Sequence, residues 1–334
     1  MLFLSLSMFI GCEKLKEQLN DVQTQFEDIT NTFVAAGTIL GVEEPDFNDF
    51  IEEELCLDPE SLPIDESMYE QGNQALVFLA QAELSANIND SQPVLGASIS
   101  IDSANGNISN VMMEEGEIDG QYSAGADQGL NYTNDIVTFT IDSGASELHT
   151  LSVDAPPAAT LESIPRESPE NTAITVDLTG QGFHSALMMV INVETGEMSY
   201  DNLPQEVEEM YTLAHPQGSL LGEETPEIES VELPATAFPE QGLYAVGVAG
   251  LRAAGSDDMD NINLLLSGMI AGKFAFTPVC VPDCYTLKKN LFCESYIENG
   301  EGDLDFDGDV DQDDCDTAFE LAGDGACPDL GQGG

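Results

Sequence analysis

The stretch DLDFDGDVDQDD, residues 303–314, sets seven carboxylates in twelve residues. Calcium takes six to eight hard oxygen ligands around one point, at about 2.3–2.6 Å. A loop of this length supplies them from its first, third, fifth, seventh, ninth and twelfth positions. Here these are Asp303, Asp305, Asp307, Asp309, Asp311 and Asp314, with Asp309 serving through its backbone carbonyl. The sixth position, where the chain reverses at positive φ, is Gly308. The eighth is Val310, an apolar residue suited to packing behind the loop. A plain acidic run explains the aspartates. It does not explain the glycine and the valine at these two places. The chemistry expected here is calcium binding, with Ca2+ as cofactor.

Helices are expected on both sides of the loop, over residues 285–297 and 313–321. The loop then resembles an EF-hand, and more closely one half of a dockerin repeat, where Asp also serves at the twelfth position. A dockerin carries two such loops, and one is found here. The resemblance implies a calcium site and, through the dockerin half, a docking element for a partner protein. Extracellular sites of this kind bind weakly, at roughly 10⁻⁴–10⁻³ M. A structural site is expected, not a sensor.

Six cysteines, Cys56, Cys280, Cys284, Cys293, Cys315 and Cys327, remain when Cys12 is set aside. An even number in an exported chain reads as disulfides, with the connectivity left open. Cys293 and Cys315 flank the loop and are placed to staple the helix pair. Cys56 must reach the C-terminal region if all six pair. A thiolate zinc site at Cys280-x3-Cys284 is the alternative, and export argues against it.

The chain opens MLFLSLSMFIGC. Residues 2–10 form an apolar run far shorter than the ~20 residues of a membrane-spanning helix. Phe9-Ile10-Gly11-Cys12 resembles the lipobox of a bacterial lipoprotein signal peptide. That resemblance implies removal of residues 1–11, a lipid on Cys12, and a place in the cell envelope: outer membrane, periplasmic or surface face. Phe9 stands where Leu is commoner, and no Lys or Arg precedes the run. A buried N-terminal strand with an incidental cysteine is the bland alternative.

The charge balance narrows the partners. Of 334 residues 63 are acidic and 7 basic, a formal charge of -56. No basic footprint exists to neutralise phosphates, so nucleic acid is excluded. An anionic bilayer repels the body of the protein, which leaves the lipid on Cys12 as the route to a membrane. Hydrophobic content of 42% is that of a globular chain, not a disordered one. At about 1 M salt the Debye length falls to roughly 3 Å and self-repulsion fades. The surface reads as salt-adapted (halophilic), or as one that gathers divalent cations.

These sites need elements to hold them. Leu15, Leu19, Val22, Phe26, Ile29 and Phe33 step by four and three, the pattern of an amphipathic helix docked on the body or of a short stalk. From about Gln74 the period becomes two. Strands are expected at 75–84, 97–101, 108–113, 118–123, 136–142 and 148–153. The segment SQPVLGASISI, with GQYSA downstream, resembles the carboxypeptidase-regulatory, transthyretin-like branch of immunoglobulin-like modules. DAPPAAT, residues 154–160, reads as a linker. Further strands are expected at 173–178, 186–193, 198–200, 228–233, 243–251 and 269–276, a layout resembling a fibronectin type III-like sandwich. The expected fold is mainly β: two antiparallel β-sandwich (immunoglobulin-like) domains, an N-terminal amphipathic helix and a small disulfide-rich C-terminal helix-loop-helix. The divisions are a signal peptide at 1–11, a helical tether and linker at 12–68, sandwiches at 69–154 and 161–279, and a Cys-rich calcium module at 280–334.

No nucleophile elbow, HExxH, phosphate-binding glycine loop or dinucleotide fingerprint occurs. His149, His184 and His215 are spread too far along the chain to read as a set. There is no Trp to make a carbohydrate platform, and no small-molecule substrate is identified. The expectation is a non-catalytic, lipid-anchored envelope protein, in adhesion or envelope structure. The alternative is a calcium-dependent binding subunit whose dockerin-like module docks a partner protein. An unrecognised hydrolase is the remote third reading.

Overall fold

The computed structural model describes residues 32–43, 50, 72–82, 92–144, 148–203, 226–255, 267–299, 302–304 and 309–322. Among the described residues the chain is mainly β, with two α-helices near its C-terminus. Among the described residues no helix is long and apolar enough to cross a membrane.

Alternation builds the first sandwich. In β8 (Ile136–Asp142) Val137, Phe139 and Ile141 turn inward, and in β9 (Leu148–Asp154) His149, Leu151 and Val153 do. These strands join β4 (Ser98–Ser103) and β5 (Val111–Met112) in a sheet ordered β5-β4-β8-β9. Its inner face packs on β1 (Thr32–Val42), β2 (Gln74–Ala82) and β7 (Gln121–Gly125) through Ile39, Val77, Leu79 and Tyr122. Two short strands, β3 (Gln92–Pro93) and β6 (Glu114–Glu115), pair with β2 and β7. Tyr122 fixes a turn. Its hydroxyl donates to the Val94 carbonyl and accepts the Ala97 N–H, both at 2.9 Å. The GQYSA and QPVLGA stretches therefore meet in space.

The second core lies between β11 (Ser185–Asn192), β14 (Gly242–Gly255) and β15 (Gly268–Val281) on one side and β10 (Ile174–Asp177) with β13 (Ser230–Leu233) on the other. The β12 strand (Met198–Asp201) forms an edge beside β11. The turn from β11 to β12 closes on Gly196 at φ 69°, whose N–H donates to the Asn192 carbonyl.

The two sandwiches share one sheet. Its order is β12-β11-β14-β15-β1-β2-β7-β6. β1 lies parallel to the first half of β15, from Ala36 opposite Gly268 to Val42 opposite Phe274, and antiparallel to β2. The early part of β15 gives Met269 and Ala271 to the first core, and its end gives Val279 and Val281 to the second. β14 and β15 run 14 residues each, about 45 Å, long enough to serve both cores.

Two expectations need correcting here. Phe33, the last residue of the heptad pattern, belongs to β1, where VAAGTILGV after it supplies β-branched and small residues, buried or half-buried on both faces of a central strand. A tether over 12–68 therefore contains a strand of the shared sheet; Leu15, Leu19, Val22, Phe26 and Ile29 lie outside the described residues. A boundary at 280 cuts β15, since Cys280 and Val281 end that strand.

DAPPAAT is docked, not loose. Ala155, Pro156 and Ala159 are buried, and the Tyr132 hydroxyl donates to the Pro156 carbonyl at 2.7 Å. Arg252 of β14 joins both bodies there. Its guanidinium pairs with Asp154 at the end of β9, and its Nε donates to the Gly182 carbonyl at 3.1 Å. The His184 Nδ1 accepts the Ala253 N–H nearby at 3.1 Å. Burial, then the Arg252 charge, lowers the His184 pKa below its ordinary 6.5. The unfolded chain then binds the proton more readily, so this contribution is present above pH ~6.5 and is lost as pH falls through the depressed value. Arg252→Ala should cost about 1–2 kcal/mol in denaturant unfolding, a partly exposed ion pair plus one hydrogen bond. Arg252→Lys should recover under half, because one ammonium cannot serve both acceptors with a planar fork. Full recovery by Lys would contradict the two-sided contact.

Candidate metal centre

The C-terminal helices hold the loop. Asp283 caps α1 (Cys284–Asn299), accepting the Thr286 N–H at 2.6 Å. Asp311 caps α2 (Gln312–Ala322), accepting the Asp313 N–H at 2.9 Å. Between them Phe292, Cys293, Tyr296, Cys315 and Phe319 form a small core, and Val310 packs against it. Phe292 meets Phe319 at 5.4 Å between ring centroids, and Tyr285 meets Phe319 edge-on at 5.5 Å. Lys289 of α1 pairs with Asp316 of α2 at 3.1 Å. Hydrogen bonds from Gln312 and Lys289 hold the Asp316 carboxyl below the ordinary carboxylate pKa.

The helix pair is docked on the second sandwich. Leu287 packs in a cluster with Phe50, Val193, Leu243 and Cys280, and the Arg166 guanidinium sits 5.0 Å above the Phe50 ring. Glu167 accepts the Cys284 N–H at 3.1 Å. Cys280 and Cys284 form a disulfide across the corner from β15 into α1. That bond leaves no thiolate at the Cys280-x3-Cys284 spacing for zinc.

A second disulfide joins Cys293 to Cys315 and staples α1 to α2. The Asp316 carboxylate lies close to both sulfurs, 4.0 Å from Cys293 Sγ. The sulfurs are bonded to each other, so this is not a thiolate site. Cys12, Cys56 and Cys327 lie outside the described residues.

Of the loop aspartates, Asp305 and Asp307 lie outside the described residues, as does Gly308. Asp314 is fully buried at 0% exposure, although it is a carboxylate beside six others. Its Oδ1 accepts the Leu304 N–H at 2.5 Å, and its Oδ2 accepts the Asp311 N–H at 3.1 Å. The twelfth position thus gathers the start and the ninth position of the loop onto one side chain. Asp303 is half-buried, and Asp309 and Asp311 face solvent. At the incoming end the Tyr296 hydroxyl donates to the Gly302 carbonyl at 2.7 Å, with Gly302 at φ 71°. The donors are all hard oxygens and the loop ends converge, which fits calcium. Sequence reading missed Asp316, Lys289 and Tyr296; an acid and a base on facing helices leave no mark in a linear pattern.

No protein-family model matches the sequence, and no curated protein matches it. Among solved structures the chain is similar to the FN1–FN3 domains of chicken CNTN1, at 8% identity and TM-score 0.20, over 63% of this chain and 61% of that one. It is similar to trypsin-activated alpha-2-macroglobulin from Escherichia coli at 8% identity and TM-score 0.20, over 75% of this chain and 16% of that one. The IG1 and IG2 domains of DIP-gamma follow at 12% identity and TM-score 0.17, covering 76% and 97%. The chain thus spans less than two thirds of the first two structures. The mainly β fold rests on the sheets described above.

His149 lies on β9 and His184 just before β11, and His215 lies outside the described residues.

Proposed function

We propose that this is a non-catalytic cell-envelope protein, held by a lipid on Cys12 and carrying a structural calcium site at Asp303, Asp305, Asp307, Asp309, Asp311 and Asp314. Its two sandwiches are read as immunoglobulin-like, the first carboxypeptidase-regulatory-like and the second fibronectin type III-like. Its role is adhesion or envelope structure in a saline setting. The observation that supports the calcium reading is Asp314: a buried carboxylate at the loop's twelfth position, accepting N–H groups from Leu304 near the loop's start and from Asp311 at its ninth position.

Calcium at about 10 mM, with a dissociation constant of roughly 10⁻⁴–10⁻³ M, stabilises the native state by about 1.4–2.7 kcal/mol. Thermal unfolding of the full chain at high salt should therefore shift upward with calcium and far less with magnesium. An unmoved transition, or an equal shift with both ions, would count against a dedicated site.

A second reading is a calcium-dependent binding subunit. Tyr285 and Leu321, 50% and 77% exposed on the helix pair, favour it. It requires a partner recovered with calcium and lost on chelation.

A further inference from the structure

The two disulfides among the described residues differ in access. Cys293 is 2% exposed and Cys315 0%, so both ends of that bond are hidden. Cys280 is 0% exposed, but Cys284 is only half-buried. The Cys280–Cys284 bond therefore runs from the core to the surface.

Its two ends also belong to different bodies. Cys280 ends β15 and is fixed there: its N–H donates to the Arg166 carbonyl at 2.8 Å, and its carbonyl accepts the Ser168 N–H at 3.0 Å. Cys284 opens α1. Alongside the bond, Leu287 holds α1 on the second sandwich through its cluster with Phe50, and the Glu167 carboxylate accepts the Cys284 N–H.

We propose that Cys284 is a thiol–disulfide exchange site, open to small thiols and dithiols, and that opening its bond loosens the helix pair from the second sandwich while the pair stays stapled. An attacking thiolate lines up with the bond that it breaks. With Cys280 inside, that line meets the Cys284 sulfur from the solvent side. The thiolate bonds to Cys284 Sγ, the Cys280–Cys284 bond breaks, and the Cys280 sulfur leaves as a thiolate that takes up a proton. A dithiol then closes on itself and releases Cys284, so two electrons and two protons end on the two cysteines. A monothiol stays on Cys284 as a mixed disulfide. Cys293–Cys315 offers neither sulfur until α2 lifts from α1, so its exchange waits on a local opening.

The bond spans a sequence separation of 4. In the chain-entropy picture a ring this small restrains the chain by at most about 30-fold. Its loss therefore loosens α1, with Leu287 and Glu167 still in place, and leaves both sandwiches folded. The site uses no residue of 303–314, so it stands apart from the calcium reading.

The test uses the full oxidised chain at high salt. Timed samples are alkylated, and the opened cysteines are located by peptide mass. In dithiothreitol Cys280–Cys284 should open at least about tenfold faster than Cys293–Cys315, the factor set by an opening of α2 rarer than one in ten. In glutathione, a monothiol, the mixed disulfide should lie on Cys284 and not on Cys280. Once Cys280–Cys284 alone is open, amide hydrogen exchange over 285–292 should rise by about 3- to 30-fold, with β8 and β11 unchanged. Cys280→Ala/Cys284→Ala should show the same rise with no thiol added; if that variant does not fold, the native chain in dithiothreitol decides. Equal opening rates at the two bonds, or an adduct on Cys280, overturns the exchange site. Faster opening with unchanged exchange over 285–292 overturns the loosening and leaves Cys284 as an exchange site alone.

Discussion

Asp314→Ala should remove saturable calcium binding and also weaken the helix pair when calcium is absent. The carboxylate is fully buried and accepts N–H groups from Leu304 and Asp311. Truncation strands both donors, at about 1–3 kcal/mol each, part of which water recovers at the half-exposed loop. The net loss should be about 2–4 kcal/mol in the unfolding of the helix pair. Asp314→Asn separates the two roles. Its amide oxygen still accepts a hydrogen bond, but the charge is gone. It should retain over half of the calcium-free stability and lose most of the calcium affinity. An Asn variant that binds calcium like the native chain would take Asp314 out of the ligand set.

Gly250→Val should cost about 3 kcal/mol or more, with no effect on the loop at 303–314 itself. Gly250 lies in β14, where a Cβ would stand 2.4 Å from atoms of the Phe183 ring. Phe183 is fully buried in the second core and has nowhere to move. Overpacking of this kind costs about 1–3 kcal/mol, and more where the clash is with a ring held on all sides. Phe183→Ala alone should cost about 3–5 kcal/mol by leaving a cavity. The double variant should be less destabilised than the sum, because the valine fills part of the space the ring vacates. Strict additivity in denaturant unfolding would show that the two residues do not press on each other.

The strands were largely legible in the sequence, and the reason is plain in β8 and β9. Their residues alternate between core and solvent, and alternation survives in a linear reading. β1 was not legible. It is central in the shared sheet, packed on both faces, and lacks a polar side to mark its period. Its partners also lie far off in sequence, with Ala36 opposite Gly268. The close glycines escaped for a related reason. Gly250 reads as a weak strand residue, and Gly41 as no strand residue at all, until the rings of Phe183 and Tyr132 are seen against them.

The site was legible at its spacing and not at its surroundings. Position and residue type pointed to the loop, to Val310 behind it and to Cys293 and Cys315 on either side. The docking of α1 on the second sandwich was not, since it depends on Phe50, Arg166 and Glu167 arriving from elsewhere. The use of cations was hidden too. Of seven basic side chains, Arg252 ties the sandwiches, Arg166 covers Phe50 under the helix pair and Lys289 ties α1 to α2. In a chain of charge -56 a positive side chain is scarce, and these three stand at junctions.

The most direct measurement is a calorimetric titration of the full oxidised chain with calcium chloride at high salt, beside Asp303→Ala and Asp314→Ala. One saturable site, lost in both variants, is the predicted result. No saturable heat in the native chain, or a site that both substitutions leave intact, would contradict the calcium centre and leave DLDFDGDVDQDD as acidic surface.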